Sequence, residues 1–143
     1  MIYLLMERIY PRPVLTNETI RKAIKLYFID YRLAIRTYGF IEEWDTSEVT
    51  DMSNLIECAC NDKYNDINDI VIKFNQDISA WDVGNVTDMN HMFYNAKNFL
   101  QNIGAWNTKN VTTVKHMLRN ATRFCQDLCE WDVEKVEDLE HIW

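Results

Sequence analysis

The sequence predicts an α/β solenoid of about four strand–helix coils behind an N-terminal capping helix. Three observations predict it. First, one pattern recurs four times: Trp44, Trp81, Trp106 and Trp131 are followed five residues later by Val49, Val86, Val111 and Val136, and eight residues later by Met52, Met89, Val114 and Leu139. Second, successive tryptophans are 37, 25 and 25 residues apart. A period in this range marks stacked repeats, in which a unit buries its apolar side only against its neighbours. Third, an amphipathic stretch of about five helical turns precedes the first repeat.

Taken in order, residues 1–15 read as an extended N-terminal arm: they are apolar, irregular and end in Pro11-Arg12-Pro13. Thr16 and Asn17 then announce a helix start. Ile20, Ala23, Ile24, Tyr27, Phe28, Tyr31, Ala34, Ile35 and Tyr38 follow at a 3.6-residue period, closed by Gly39. Residues 16–39 are therefore expected to form one capping helix that shields the open end of the first coil, with Arg21, Lys22, Lys25, Arg32 and Arg36 on its outer face. Residues 40–143 form the repeat array.

Within a repeat, Val86, Met89, Met92, Phe93 and Ala96 have helical spacing, and Val111 and Met117 are their counterparts one repeat on. Phe99, Ile103 and Trp106 then suggest a short strand. Parallel stacking of such coils aligns the tryptophans in one internal column and Phe74, Phe99 and Phe124 in another. The longer first interval places an insert at residues 60–73, with Tyr64, Ile67 and Ile70 among Asn and Asp residues. Insertions in stacked repeats fall on loops along one edge, often the binding edge.

Composition narrows the function classes. The chain has 143 residues, 48% of them hydrophobic, enough to build a core. Residues 1–41 carry seven Lys/Arg against three Asp/Glu, and residues 42–143 carry eight against nineteen. An array with a balance of −11 repels phosphates and argues against nucleic acid as a partner. No apolar run is long enough to span a bilayer, so a membrane partner is not expected, and Met1–Met6 lacks the basic flank of a signal peptide.

The wording Phe74-Asn75-Gln76-Asp77-Ile78-Ser79-Ala80-Trp81-Asp82-Val83-Gly84-Asn85-Val86-Thr87-Asp88-Met89 resembles the 25-residue repeat of the BspA-type leucine-rich-repeat surface proteins, a repeat also known from mycoplasma lipoproteins and large DNA viruses. The helix from Thr16, followed by Trp44 to Met52, resembles the cap before such arrays. The resemblance covers about residues 15–143. It implies a right-handed leucine-rich-repeat-like superhelix and a role in surface attachment or protein contact, and no enzyme. Without an export signal, an intracellular or virion-associated member is expected.

Other candidate chemistry is thin. His91, His116 and His141 recur ten residues after a tryptophan, on the polar side if the segment is helical, and read as solvated histidines. Cys58, Cys60, Cys125 and Cys129 do not form the usual zinc-knuckle spacing and read as reduced, buried or half-buried thiols. The insert acids miss calcium-loop spacing at Tyr64 and Ile70. Acid pairs such as Glu137-Asp138 read as solvated charge, and four Asn-x-Thr words, at Asn17, Asn85, Asn110 and Asn120, as structural. No catalytic residue, metal or cofactor is expected.

The expectation is a non-catalytic repeat module for protein–protein contacts, the alternative being a structural component of a larger assembly such as a minor virion protein. Candidate binding residues are Tyr64, Ile67 and Ile70 in the insert, Arg32 and Arg36 on the cap, and Ile142 and Trp143 at the open C-terminal end, where a protein partner or a second copy would dock.

Overall fold

The computed structural model describes residues 11–57 and 71–143. Tyr64, Ile67 and Ile70 of the insert, with Cys58 and Cys60, lie outside the described residues.

Helix α1 spans Asn17–Ile29 and opens with a capping box: the Thr16 hydroxyl accepts from Thr19 N, and the Thr16 N–H donates to Thr19 Oγ1. Helix α2 spans Tyr31–Tyr38. The single capping helix is thus broken at Asp30. Its side chain accepts from Leu33 N at 3.0 Å and caps α2, while its own N–H still donates to Leu26 O. An aspartate carboxylate competes for backbone N–H groups that a continuous helix would use, and here the cap wins. Gly39, at φ 80°, ends α2 in a region closed to most side chains. A 3-10 turn, Ile41–Glu43, leads into the first repeat.

The repeats stack, but not as strand–helix coils. Among the described residues the regular elements are α1, α2, the 3-10 turn and helical geometry at 71–73, and there is no strand. Parallel pairing is confined to isolated bridges: Val14 with Asp45, Asp51 with Asp88, and Asp88 with Thr113. The expected α/β solenoid, and with it the leucine-rich-repeat-like superhelix, is therefore corrected.

The reason lies in the spacing. Each repeat is a chain of three-residue corners, and an N–H at each corner bonds to the carbonyl three residues back. In the second repeat these bonds run Trp81 to Ile78, Val86 to Val83, Met92 to Met89, Ala96 to Phe93 and Phe99 to Ala96. Intervening N–H groups point along the stack instead. Those of Met89, His91, Phe93 and Asn95 donate to Thr113, Lys115, Met117 and Arg119 of the next repeat. A helix would need the same groups for its own i−4 carbonyls. His91 (φ 56°) and Asn95 (φ 62°) are left-handed, as are their counterparts Asn54, His116 and Asn120. One left-handed residue per turn or so excludes an α-helix. Apolar residues every third position had imitated a helical period.

Asx turns complete the corners. Asp45, Asp82 and Asp132 accept from the N–H two residues on, as do Asp51, Asp88 and Asp138, and Asp77, Asn102 and Asp127.

The interior is the set of aligned side chains. Trp44 stacks on Trp81 at 5.9 Å between ring centres and Trp106 on Trp131 at 6.5 Å, both at 13°. Phe99 lies 5.9 Å from both Phe74 and Phe124. Val86, Val111, Met89, Met92 and Met117 are buried in the same core. The indole N–H groups of Trp81, Trp106 and Trp131 donate to Ile41, Ile78 and Ile103 carbonyls of the preceding repeat, and Trp44 donates to Gly39 in the cap. Ile20, Ala23 and Ile24 of α1 close the stack, and Phe28 meets Phe74 edge-on at 6.1 Å.

Trp106→Ala removes a stacked ring and the indole bond to the Ile78 carbonyl. It is expected to cost about 3–5 kcal/mol, measured as the shift in urea midpoint at unchanged slope. Asn95→Ala, at a left-handed position, should cost about 1–2 kcal/mol, while Asn95→Gly should be nearly neutral in the same assay.

Candidate functional site

Two exposed surfaces and one side-chain row stand out. The first surface is the outer side of the cap around α2. Ile29, Tyr31 and Leu33 are 51%, 49% and 44% exposed, and Arg32 and Arg36 extend beside them. Asp30 creates this patch, because the helix break turns the chain so that Ala34 is the buried residue of α2. The other cations of the basic stripe are engaged. Arg21 donates to Ser53 O at 2.8 Å and to Asp51 at 3.1 Å, and Lys22 pairs with Glu18. Arg12 pairs with Glu43.

The second surface is the fourth repeat. Ile142 packs partly against the core, whereas Trp143 is 62% exposed with its ring 6.1 Å from Phe124. Val133 and Leu139 are also exposed there. Around them stand Glu130, Asp132, Glu134, Glu137, Asp138 and Glu140, all exposed. Arg32, Arg36, Ile142 and Trp143 are thus accessible, but α2 and the fourth repeat are separate surfaces rather than one site.

The row is formed by the histidines. His91 and His116 lie 5.2 Å apart between ring centres, and His116 and His141 lie 5.6 Å apart. They were expected on the solvated side of a helix. Instead His91 and His116 are half-buried at left-handed backbone positions, and Nδ1 of His116 is enclosed without a hydrogen-bond partner. Desolvation, reinforced by Arg119, His91, Lys115 and His141, holds the His116 imidazole below its ordinary pKa. The signal for this row was the alternation of Asn54 with His91 and His116 at one repeat position, since Asn and His are among the few residues that tolerate the left-handed region.

Cys125 and Cys129 are free and exposed rather than buried. Cys129 Sγ donates to Asp127 Oδ2 at 3.3 Å, and that carboxylate pushes its thiol up, away from the reactive thiolate. The four asparagines of the Asn-x-Thr words all hold neighbours: Asn17 accepts from Thr50 N, Asn85 donates to Ser47 O, Asn110 to Gly84 O and Asn120 to Asn95. Thr46 and Thr108, the buried polar residues among those described, donate to the Asp82 and Asp132 carbonyls of the next repeat.

Stacked turns closed by a helical cap define a repeat protein. Residues 30–143 match the family described as Mycoplasma protein of unknown function, DUF285, and the chain belongs to that family. No curated protein and no solved structure matches it. Among the described residues no helix is long and apolar enough to cross a membrane.

The His116 environment sets a pH dependence. Its folded-state pKa lies below the unfolded value of 6.5, so between the two the unfolded chain binds more protons. Its contribution to stability is complete above about pH 6.5 and is lost as pH falls through that value toward the folded-state pKa. Urea midpoints should therefore drop between pH 7.5 and 5.5, and His116→Asn should flatten that slope.

Proposed function

We propose that this chain is a non-catalytic repeat module that makes protein–protein contacts, and that its repeats are of the BspA type at the level of sequence. The observation that carries the reading is the exposed α2 patch, where Ile29, Tyr31 and Leu33 flank Arg32 and Arg36 on a chain of net charge −7. Apolar area rimmed by charge is the surface composition of a docking site. Thr46 and Thr108, the buried polar residues among those described, bond to neighbouring repeats, which favours a scaffold role for them. The acidic, partly apolar fourth repeat offers a second contact surface for a protein partner or another copy.

Affinity capture from the native source with the wild-type chain and with Arg32→Glu/Arg36→Glu tests the α2 reading. A protein retained by the wild type and lost by the variant is the expected result; equal retention by both removes α2 from the proposal. Sedimentation tests the fourth repeat. Association that grows with concentration and is weakened by Leu139→Asp is expected, whereas a strict 17.1 kDa monomer at all concentrations rules out self-association. Turnover of a substrate abolished by a single polar substitution would overturn the non-catalytic reading.

A further inference from the structure

The histidine row borders a cationic island in an otherwise acidic array. Residues 89–126 carry Lys97, Lys109, Lys115, Arg119 and Arg123 and no Asp or Glu over 38 residues. Residues 42–88 carry two Lys against twelve Asp/Glu, and residues 127–143 one against seven. The acids are missing at the corners that hold them elsewhere. Asn102, the counterpart of Asp77 and Asp127, accepts from Gly104 N at 2.9 Å. Asn107, the counterpart of Asp45, Asp82 and Asp132, accepts from Lys109 N at 3.4 Å. Thr113 replaces Asp51, Asp88 and Asp138, and Asn90 Oδ1 takes the Lys115 N–H there at 2.7 Å. A carboxamide oxygen accepts as a carboxylate oxygen does, so the turn is indifferent to the exchange and only the charge changes.

Four of the five cations lie along one rim of the second and third repeats. Arg123 N donates to Lys97 O, Asn95 N to Arg119 O and His91 N to Lys115 O, which sets the two coils side by side there. Between them the Asn120 amide bonds Asn95 at 2.8 Å. Lys97, Lys115, Arg119 and Arg123 are exposed, and the ion pairs among the described residues use Arg12, Arg21, Lys22 and His141 instead. Asp138, held below the usual carboxylate range by His141 first and in part by Lys115, marks the fourth-repeat edge of the island. Clustered like charges oppose a compact state, so folding alone does not account for them. The neighbours of the island select its partner. Two coils span about 10 Å along the stack. A long phosphate polymer would run off them onto acidic corners on either side, which repel it. A lipid surface fits poorly, because none of the exposed large apolar residues among those described falls within 89–126. A short run of Asp and Glu side chains matches both the sign and the extent, and each arginine can fork onto one carboxylate.

We propose that Lys97, Arg119 and Arg123, with Lys115 at the margin, form a docking surface for a short acidic segment of another protein. The neutral corners at Asn102, Asn107 and Thr113 keep that surface free of competing carboxylates. The proposal rests on the protein-contact reading and gives it a third surface, apart from α2 and from the fourth repeat.

The test titrates a deca-glutamate peptide into the ¹⁵N-labelled whole chain at low salt and follows the amide signals by NMR. Saturable shifts centred on Lys97, Arg119 and Arg123 are expected, and they should weaken as sodium chloride is added. Arg119→Glu/Arg123→Glu should weaken the affinity about tenfold or more. Arg32→Glu/Arg36→Glu alters the net charge by the same amount on α2 and should leave the affinity unchanged. Lys97→Glu, on the second repeat, serves as a second variant if the double substitution folds poorly, and it should weaken binding about threefold or more. No saturable shifts, or equal weakening by the two double variants, overturns the proposal. So does a twelve-nucleotide oligodeoxythymidine that binds this rim as tightly as deca-glutamate, since the partner would then be a phosphate polymer. Failure of this surface while α2 still captures a protein overturns the proposal and leaves the broader protein-contact reading in place.

Discussion

Backbone donors along the repeat corners find their acceptors in the neighbouring repeat, and the rest of the molecule follows from that dependence. The N–H groups of Met89, His91, Phe93 and Asn95 have no carbonyl within their own turn that they use; Thr113, Lys115, Met117 and Arg119 supply it. An unpaired buried N–H costs about 1–3 kcal/mol, so a single repeat has no stable folded form by itself. Trp81, Trp106 and Trp131 add a bond in the opposite direction, each indole reaching back to the repeat before it. Every unit is thus tied both ways, and register is fixed without a continuous sheet. At the first repeat α1 supplies the apolar cover, Gly39 gives Trp44 its acceptor, and Leu15 donates to Asp45.

The turn chemistry also accounts for much of the charge. The aspartates at 45, 51, 77, 82, 88, 127, 132 and 138 each accept from the N–H two residues on. For Asp45 and Asp77, bonds from Ser47 and Ser79 also hold the carboxyl below its usual pKa, so these corners stay ionised well into mild acid. The array is acidic in part because three-residue corners recruit aspartate. A partner therefore meets an excess of negative charge on the array, while Arg32 and Arg36 are exposed cations on the cap.

The columns of tryptophan and phenylalanine were legible in the sequence because a repeat period alone sets which residues become neighbours. The cap was legible for similar reasons: Thr16, the spacing from Ile20 and Gly39 all stand where the structure uses them. Local conformation was harder to read. Val86, Met89, Met92 and Ala96 satisfy a three-residue and a 3.6-residue period almost equally over so short a span. The discriminating signal was polar: Asn or His at the left-handed positions, and Asp, Asn or Thr at the corners. Asp30 was hidden for a related reason, since its outward place in a helical pattern says nothing of whether it caps. Of the candidate binding residues, Arg32, Arg36 and Trp143 proved exposed, and the partial burial of His91 and His116 comes from the neighbouring repeats, which no single segment encodes.

The left-handed slot shared by Asn54, His91 and His116 has an evolutionary consequence. Its backbone admits a short alphabet of side chains, and within that alphabet only histidine can exchange a proton near neutrality or ligate a soft cation. Interchanging asparagine and histidine there alters reactivity while leaving architecture untouched. Such a position is a place where new chemistry can be gained or discarded by one codon, unit by unit, without renegotiating how the chain folds.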